Sequence, residues 1–208
     1  NKMLKNIYPT IIEFNKKYKV LKKEDKDFFV GMCGSPIHRK GPDLFLNTAK
    51  YINENYNNEN IKFIWQGGSE NTSEFQDFVN EIELLKLNNV IQIIPSKKNV
   101  QSFFSKINLF LCSSREEPFG MVILEAGLNN IPSLAFEKSG GPEEILADHR
   151  GIIVPYGSFK KMAEAIVELK NNNSLMSKYS NNLNNYSTKN YNNNNNIETI
   201  KIIEKIIS

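Results

Sequence analysis

Two rhythms of apolar and polar positions alternate along this chain. Short, mostly apolar runs at Phe28–Cys33, Ile61–Gln66, Val90–Ile94, Leu109–Cys112, Ser133–Phe136 and Gly151–Val154 read as buried strands. Longer stretches with helical spacing separate or follow them: Asp43–Glu54, Ser73–Leu87, Val100–Ser105, Gly120–Asn129, Pro142–Leu146, Phe159–Asn171 and Ser174–Tyr186. Strands that alternate with helices are joined by right-handed crossovers and lie parallel, covered on both faces. The expected fold is therefore α/β: a Rossmann-like, doubly wound parallel sheet of about six strands. In such sheets ligands bind beyond the carboxyl ends of the strands, where the strand order reverses.

The ends of the chain break this rhythm. Residues 1–26 hold a short strand-like run, Met3 to Tyr8, and a lysine-rich helix or coil from Ile11 to Lys23. Residues 189–208 hold an asparagine run around Tyr191 to Asn196, then isoleucines at helical spacing. Three segments follow: 1–26 as a lysine-rich linker, 27–188 as the folded domain, and 189–208 as an asparagine-rich linker with a terminal helix.

With 208 residues and 40% apolar content, the chain is long enough to bury a sizeable core. Charge is uneven. Residues 1–26 carry eight lysines against three acids, a local +5 within a whole-chain +3, so the remainder carries −2. That basic segment reads first as solvated connection, and an anionic membrane face is the partner its charge would suit. No nucleic-acid partner is expected. No apolar run is long enough to span a bilayer, and Asn-Lys-Met-Leu-Lys is not a secretory leader. The expectation is a cytoplasmic protein, peripheral at a membrane at most, whose sequence here is excised from a longer one. Cys33 and Cys112, without a C-x-x-C pair, read as buried free thiols.

The chemistry concentrates in Ser113-Ser114-Arg115-Glu116-Glu117-Pro118-Phe119-Gly120-Met121-Val122-Ile123-Leu124-Glu125-Ala126. Glu117 stands just ahead of a helix opened by Gly120, where unpaired backbone N–H groups and the dipole favour an anion. Glu125 lies inside that helix, roughly 8 Å along its axis. Its neighbours Val122, Ile123, Leu124 and Ala126 are apolar, and a buried carboxylate there needs a partner. Two acids flanking an anion-attracting helix end suit a diphosphate joined to two polyols, one a sugar and the other a ribose. Glu116 does not fit that spacing. A second candidate is the small-residue turn around Gly31, Gly34 and Ser35, followed by Lys40-Gly41, whose lysine would supply a point charge to a phosphate. It is neither G-x-G-x-x-G nor the P-loop Gly-Lys-Ser/Thr, so neither a dinucleotide fingerprint nor an ATPase is supported. Ser139-Gly140-Gly141-Pro142-Glu143-Glu144 reads as ordinary helix-start chemistry or as a sugar-proximal turn, and both stay open. His38 and His149 lack the partners of a catalytic histidine, and Trp65 reads as core.

These motifs together resemble retaining glycosyltransferases of the GT-B fold, chiefly family 4. Glu117 and Glu125 match the E-x7-E signature of that family. Gly31 to Phe45 looks like its glycine-rich turn and Lys-Gly, Gly140–Glu144 its Gly-Gly-x-x-Glu helix start, and Gly151–Pro155 the strand after it. The resemblance covers roughly Asp27 to Leu169 and corresponds to the C-terminal, donor-binding domain. It implies transfer of a sugar from a nucleoside-diphosphate sugar to an acceptor hydroxyl with retained anomeric configuration. No metal and no other cofactor are implied. It assigns catalytic roles to Glu117 and Lys40, and donor contacts to Gly34, Ser35, Lys40, Pro95, Glu117, Phe119, Gly120, Met121, Val122 and Glu125. The acceptor, a glycan, lipid or protein, would be held by an N-terminal domain without counterpart here, so this chain alone would bind nucleotide without turnover. One departure stands out: the family's turn often carries an arginine, and here those positions read Gly34 and Ser35. A catalytically silent nucleotide-sugar-binding or scaffold domain is the rival that this departure suggests. A GT-B nucleotide-sugar epimerase would need further acids and histidines, and a phosphorylase-like enzyme a cofactor lysine; neither is evident.

Overall fold

The computed structural model describes residues 27–96 and 101–190. The expectations for residues 1–26, for the asparagine run and for the terminal helix lie outside those residues. Within them strand and helix alternate as far as the last strand, after which two helices follow in succession. The strands are β1 (Phe28–Cys33), β2 (Ile61–Gln66), β3 (Ile91–Ile94), β4 (Leu109–Cys112), β5 (Ser133–Phe136) and β6 (Ile152–Val154). The helices are α1 (Pro42–Asn55), α2 (Ser73–Leu84), α3 (Gln101–Phe104), α4 (Met121–Leu128), α5 (Gly141–Leu146), α6 (Phe159–Asn171) and α7 (Asn173–Asn190).

The six strands form one parallel sheet in the order β3-β2-β1-β4-β5-β6. Helices cover both of its faces: α1 packs beside α6, while α4 packs beside α7. Burial on two faces explains why the strands read as apolar runs rather than as alternating ones. Residues of β3, β4 and β5 are all buried. Phe45 fills one side of the sheet, edge-on to both Phe63 and Trp65. Gly31, which the resemblance assigns to the glycine-rich turn, sits inside β1, within the apolar run read as a strand. A Cβ there would come within 2.6 Å of Ile107 and 2.7 Å of Phe103, so this glycine lets β1 and the segment around α3 approach.

The strand order reverses between β1 and β4. Both strands point the same way, so the loops after Cys33 and after Cys112 leave the sheet side by side. The loop after Phe136 leaves the neighbouring strand, β5, at the same edge. Three of the sequence's candidate motifs are thus gathered at the switch point, the position where parallel sheets bind ligands.

Candidate functional site

The β1 loop carries Gly34, Ser35 and Lys40. Gly34 adopts φ +145° and is anchored from the sheet side: its N–H donates to the Gln66 carbonyl at 2.9 Å, and Trp65 Nε1–H donates to its carbonyl at 2.8 Å. Trp65 is therefore core, as read from the sequence, and also a tether for the turn. Past Gly34 the chain makes a 3-10 turn over His38–Lys40 that the apolar pattern does not announce. Gly41 closes it at φ +64°, and a Cβ at Gly41 would lie 2.1 Å from the Ser113 carbonyl oxygen. Only glycine lets the two loops come this close. The turn folds the Lys40 stem back over Gly34, whose ideal Cβ would sit 3.3 Å from Lys40 Cε.

Side chains and carbonyls then lace the β1 loop to the β4 loop. Ser113 Oγ donates to the Lys40 carbonyl at 2.9 Å, and the Arg115 N–H donates to the Arg39 carbonyl at 2.8 Å. Arg39 returns a bond of 2.8 Å to the Glu116 carbonyl. The Arg115 guanidinium grips both oxygens of Asp43 at 2.8 and 2.7 Å and also donates to the His38 carbonyl at 3.0 Å. Its hydrogen bonds hold the Asp43 carboxyl below the usual carboxylate range, against a smaller opposing effect of burial. At the centre, Lys40 Nζ donates to Glu117 Oε2 in a close ion pair whose side chains are 13% and 14% exposed. Ser114 Oγ donates to the same oxygen at 3.4 Å.

The other flank of Glu117 is held by backbone alone. Its N–H donates to the Ser139 carbonyl at 2.6 Å, and its carbonyl accepts the Gly141 N–H at 2.9 Å. Added Cβ atoms would meet Glu117 O at 2.9 Å from Gly140 and the Pro118 O and Phe119 C atoms at 2.8 Å from Gly141. The Gly-Gly pair thus serves a structural purpose, because its bare backbone admits the Glu117 loop. Pro142 and Glu143 occupy the first turn of α5 beyond it.

Gly120, at φ +67°, starts α4 without a side-chain cap. The first amides of a helix lack intrahelical acceptors, so this end offers donors to an anion. Phe119 is 78% exposed beside it, Met121 is exposed, Val122 is half-buried and Gly120 is buried. Glu125 is half-buried on α4, and burial chiefly, with the charge of Glu125 second, pushes the Cys33 thiol at the end of β1 up to about 11. Lys40 acts on the same thiol in the opposite sense. Lys40, Glu117 and Glu125 therefore share one neighbourhood at the switch point. Pro95, half-buried, follows β3 two strands away, and Ser96 beside it donates its N–H to the Gly68 carbonyl at 2.9 Å. Neither histidine joins the cluster through its side chain: the carbonyls of His38 and His149 accept bonds from Arg115 and Asn182. Arg115, Asp43, Ser113 and Ser114 lie inside the motifs, yet the sequence alone assigns them no role. A charge pair 72 residues apart leaves no local signal.

Among the described residues, no group of three or more His, Cys, Asp or Glu side chains could hold a metal ion. Nor is any helix there long and apolar enough to cross a membrane.

The family described as "Glycosyl transferases group 1" matches residues 13–190. The capsular polysaccharide biosynthesis glycosyltransferase CapM of Staphylococcus aureus is 27% identical over 149 residues, 72% of this chain and 38% of that protein. The O-antigen biosynthesis glycosyltransferase WclY of Escherichia coli is 30% identical over 108 residues, 52% of this chain and 28% of that protein. The chain thus spans well under half the length of either. Anabaena Alr3699/HepE, solved in complex with UDP and glucose, superposes with a TM-score of 0.73 at 22% identity, over 85% of this chain and 48% of that one. The C-terminal domain of the group 1 family protein LpcC from Francisella tularensis superposes with a TM-score of 0.69 at 21% identity, over 86% of this chain and 91% of that domain. The shared Rossmann-like sheet is that of GT-B proteins. Matched over residues 13–190, the chain belongs to the glycosyl transferases group 1 family.

Proposed function

We propose that this chain is the donor-binding C-terminal domain of a retaining, family 4-like glycosyltransferase. It would take a nucleoside-diphosphate sugar and pass the sugar to an acceptor hydroxyl held by the remainder of a longer protein. The observation that carries this reading is the meeting of Lys40 with Glu117, 77 residues apart, at the sheet's switch point and beside the uncapped start of α4. Support also comes from HepE, whose fold this chain shares and which was solved with UDP and glucose.

In this reading the diphosphate lies between the Lys40 ammonium and the amides of Gly120, Met121 and Val122. Fixed donors aimed at a departing diphosphate offset its growing charge without reorganisation, so no metal is required. Glu117 accepts hydroxyls of the donor sugar and Glu125 those of the ribose. Gly34 and Ser35 let backbone approach the phosphates, Pro95 contacts the base by its backbone, and Phe119 borders the sugar. The family's turn arginine is absent, so charge stabilisation falls chiefly to Lys40 and the helix end. Acceptor binding, and any peripheral membrane contact, belong to the parts of the protein outside this fold.

Calorimetric titration with UDP, GDP and ADP tests the reading. At least one nucleotide binds wild type, and Lys40→Ala and Glu125→Ala each weaken it by about tenfold or more, as expected for a lost charge-assisted contact. Binding unchanged in both variants would refute the site. Absence of binding by all three nucleotides would favour a silent domain.

A further inference from the structure

The cation at the centre of this site is already spent. Lys40 Nζ is bound to Glu117 Oε2, and both side chains are largely shielded from water (13% and 14% exposed). Neither partner is free to drift. Lys40 lies over Gly34, its carbonyl is held by Ser113 Oγ, and Gly41 packs against Ser113. Glu117 is pinned through its own N–H and carbonyl to Ser139 and Gly141, and its carboxylate takes a second bond from Ser114. The two guanidinium groups of these loops do not compensate. Arg115 is committed to Asp43, and Arg39 donates to the Glu116 carbonyl. A bare diphosphate arriving here meets a neutralised lysine with a carboxylate beside it. To win Lys40 it must strip Glu117 of its counter-charge, and a shielded carboxylate left with only the Ser114 hydroxyl is costly. A ligand that presents hydroxyls next to its diphosphate faces no such penalty. Its phosphate takes Lys40 while its hydroxyls donate to Glu117, so both partners are exchanged at once.

We propose that Glu117 is a selectivity residue: its ion pair with Lys40 turns the site against a sugar-free nucleoside diphosphate and toward one that carries a sugar. The consequence is directional. The donor enters by partner exchange, and the diphosphate left after sugar transfer loses the hydroxyls that held Glu117, so the re-forming pair helps to expel it. This inference rests on the donor-site reading above and adds the discrimination between donor and spent nucleotide.

The test is a four-protein comparison: wild type, Glu117→Gln, Lys40→Met and the double variant, each titrated with UDP and UDP-glucose, and with GDP and ADP for base choice. The pair carries no net charge in wild type and in the double variant, one positive charge in Glu117→Gln, and one negative charge in Lys40→Met. UDP affinity rises with the charge of the pair. Glu117→Gln binds UDP tightest, about three- to tenfold better than wild type, the scale of one released charge at a shielded surface site. Lys40→Met binds weakest, and the double variant recovers part of its loss. In Glu117→Gln the preference for UDP-glucose over UDP shrinks, and UDP binding falls more steeply with added salt than in wild type. Near-UV circular dichroism and unfolding midpoints establish that the four proteins share one fold. If Glu117 merely props Lys40 in place, Glu117→Gln binds UDP more weakly than wild type and the double variant recovers nothing. Either result overturns the inference while leaving the donor site standing. Absence of nucleotide binding in all four proteins overturns both.

Discussion

The Glu117 loop has two flanks, and they are built from different materials. Toward the β1 loop it is joined chiefly by side chains, Arg115 to Asp43, Ser113 to the Lys40 carbonyl and Lys40 to Glu117 itself, beside the Arg115–Arg39 backbone bond and the close approach of Gly41 to Ser113. Toward the β5 loop it is joined by backbone, with Gly140 and Gly141 leaving no space for a Cβ. The first flank can be tuned by charge, pH and ligand. The second can be altered only by volume. A site that must exchange partners on binding has its adjustable contacts on the phosphate side and a rigid abutment behind.

Substitutions that put a Cβ where backbone meets backbone have the largest effects. Gly140→Ala combines φ +109° with a Cβ only 2.9 Å from Glu117 O, and neither backbone segment can yield cheaply. We expect a loss of about 2–4 kcal/mol in urea unfolding, the range for a strained backbone plus a steric clash. Ser139→Ala removes only the bond from its Oγ to the Phe136 carbonyl at 2.7 Å, so a comparable loss there would show that the flank does not depend on backbone fit.

On the charged flank, Arg115→Met removes the bidentate grip on Asp43 and the bond to His38. Asp43 is 42% exposed in its side chain, so solvent screens the pair and the expected loss is about 1 kcal/mol. A double-mutant cycle with Asp43→Asn should return most of that loss as coupling. A cycle with no coupling would mean that the Arg115 side chain acts through its bond to the His38 carbonyl alone.

The same pair has a pH signature. The folded-state pKa of Asp43 is depressed, so its contribution is complete above the ordinary value of 3.8 and is lost as pH falls below that through the folded-state value. Unfolding free energies of wild type and Arg115→Met should therefore converge between neutral pH and acid. Parallel curves would assign the acid loss to other groups.

How much of this is legible in the sequence divides along the same line. The edges of β1, β2, β4 and β5 coincide with their apolar runs because burial on two faces leaves a dense local signal. The α7 helix runs on to Asn190, past the expected Tyr186, because its asparagines are weak helix formers whose packing against α4 decides the matter. The 3-10 turns at His38–Lys40 and Asn57–Glu59 are too short for any periodicity to show. Glu117 and Glu125 can be singled out by spacing to a helix start. The Arg115–Asp43 grip cannot, since nothing local distinguishes a paired surface charge from a solvated one. The Gly-Gly turn is visible as a motif, and its close contact with the Glu117 backbone emerges only in three dimensions.

The smallest expected effect is at the thiol behind the site. With its pKa near 11, Cys33 should react slowly with iodoacetamide at neutral pH and faster as pH rises. Lys40→Met removes the nearby charge that favours the thiolate and should slow the reaction further. An unchanged rate would place the Lys40 ammonium away from the β1 end.

A crystal structure of the chain grown with UDP-glucose would probe the partner exchange at its source. We expect the diphosphate between Lys40 and the first amides of α4, ribose hydroxyls on Glu125, and Glu117 turned from Lys40 to the glucose. A nucleotide bound elsewhere, or one bound there with the Lys40–Glu117 pair intact and Glu125 untouched, would refute both the donor site and the exchange.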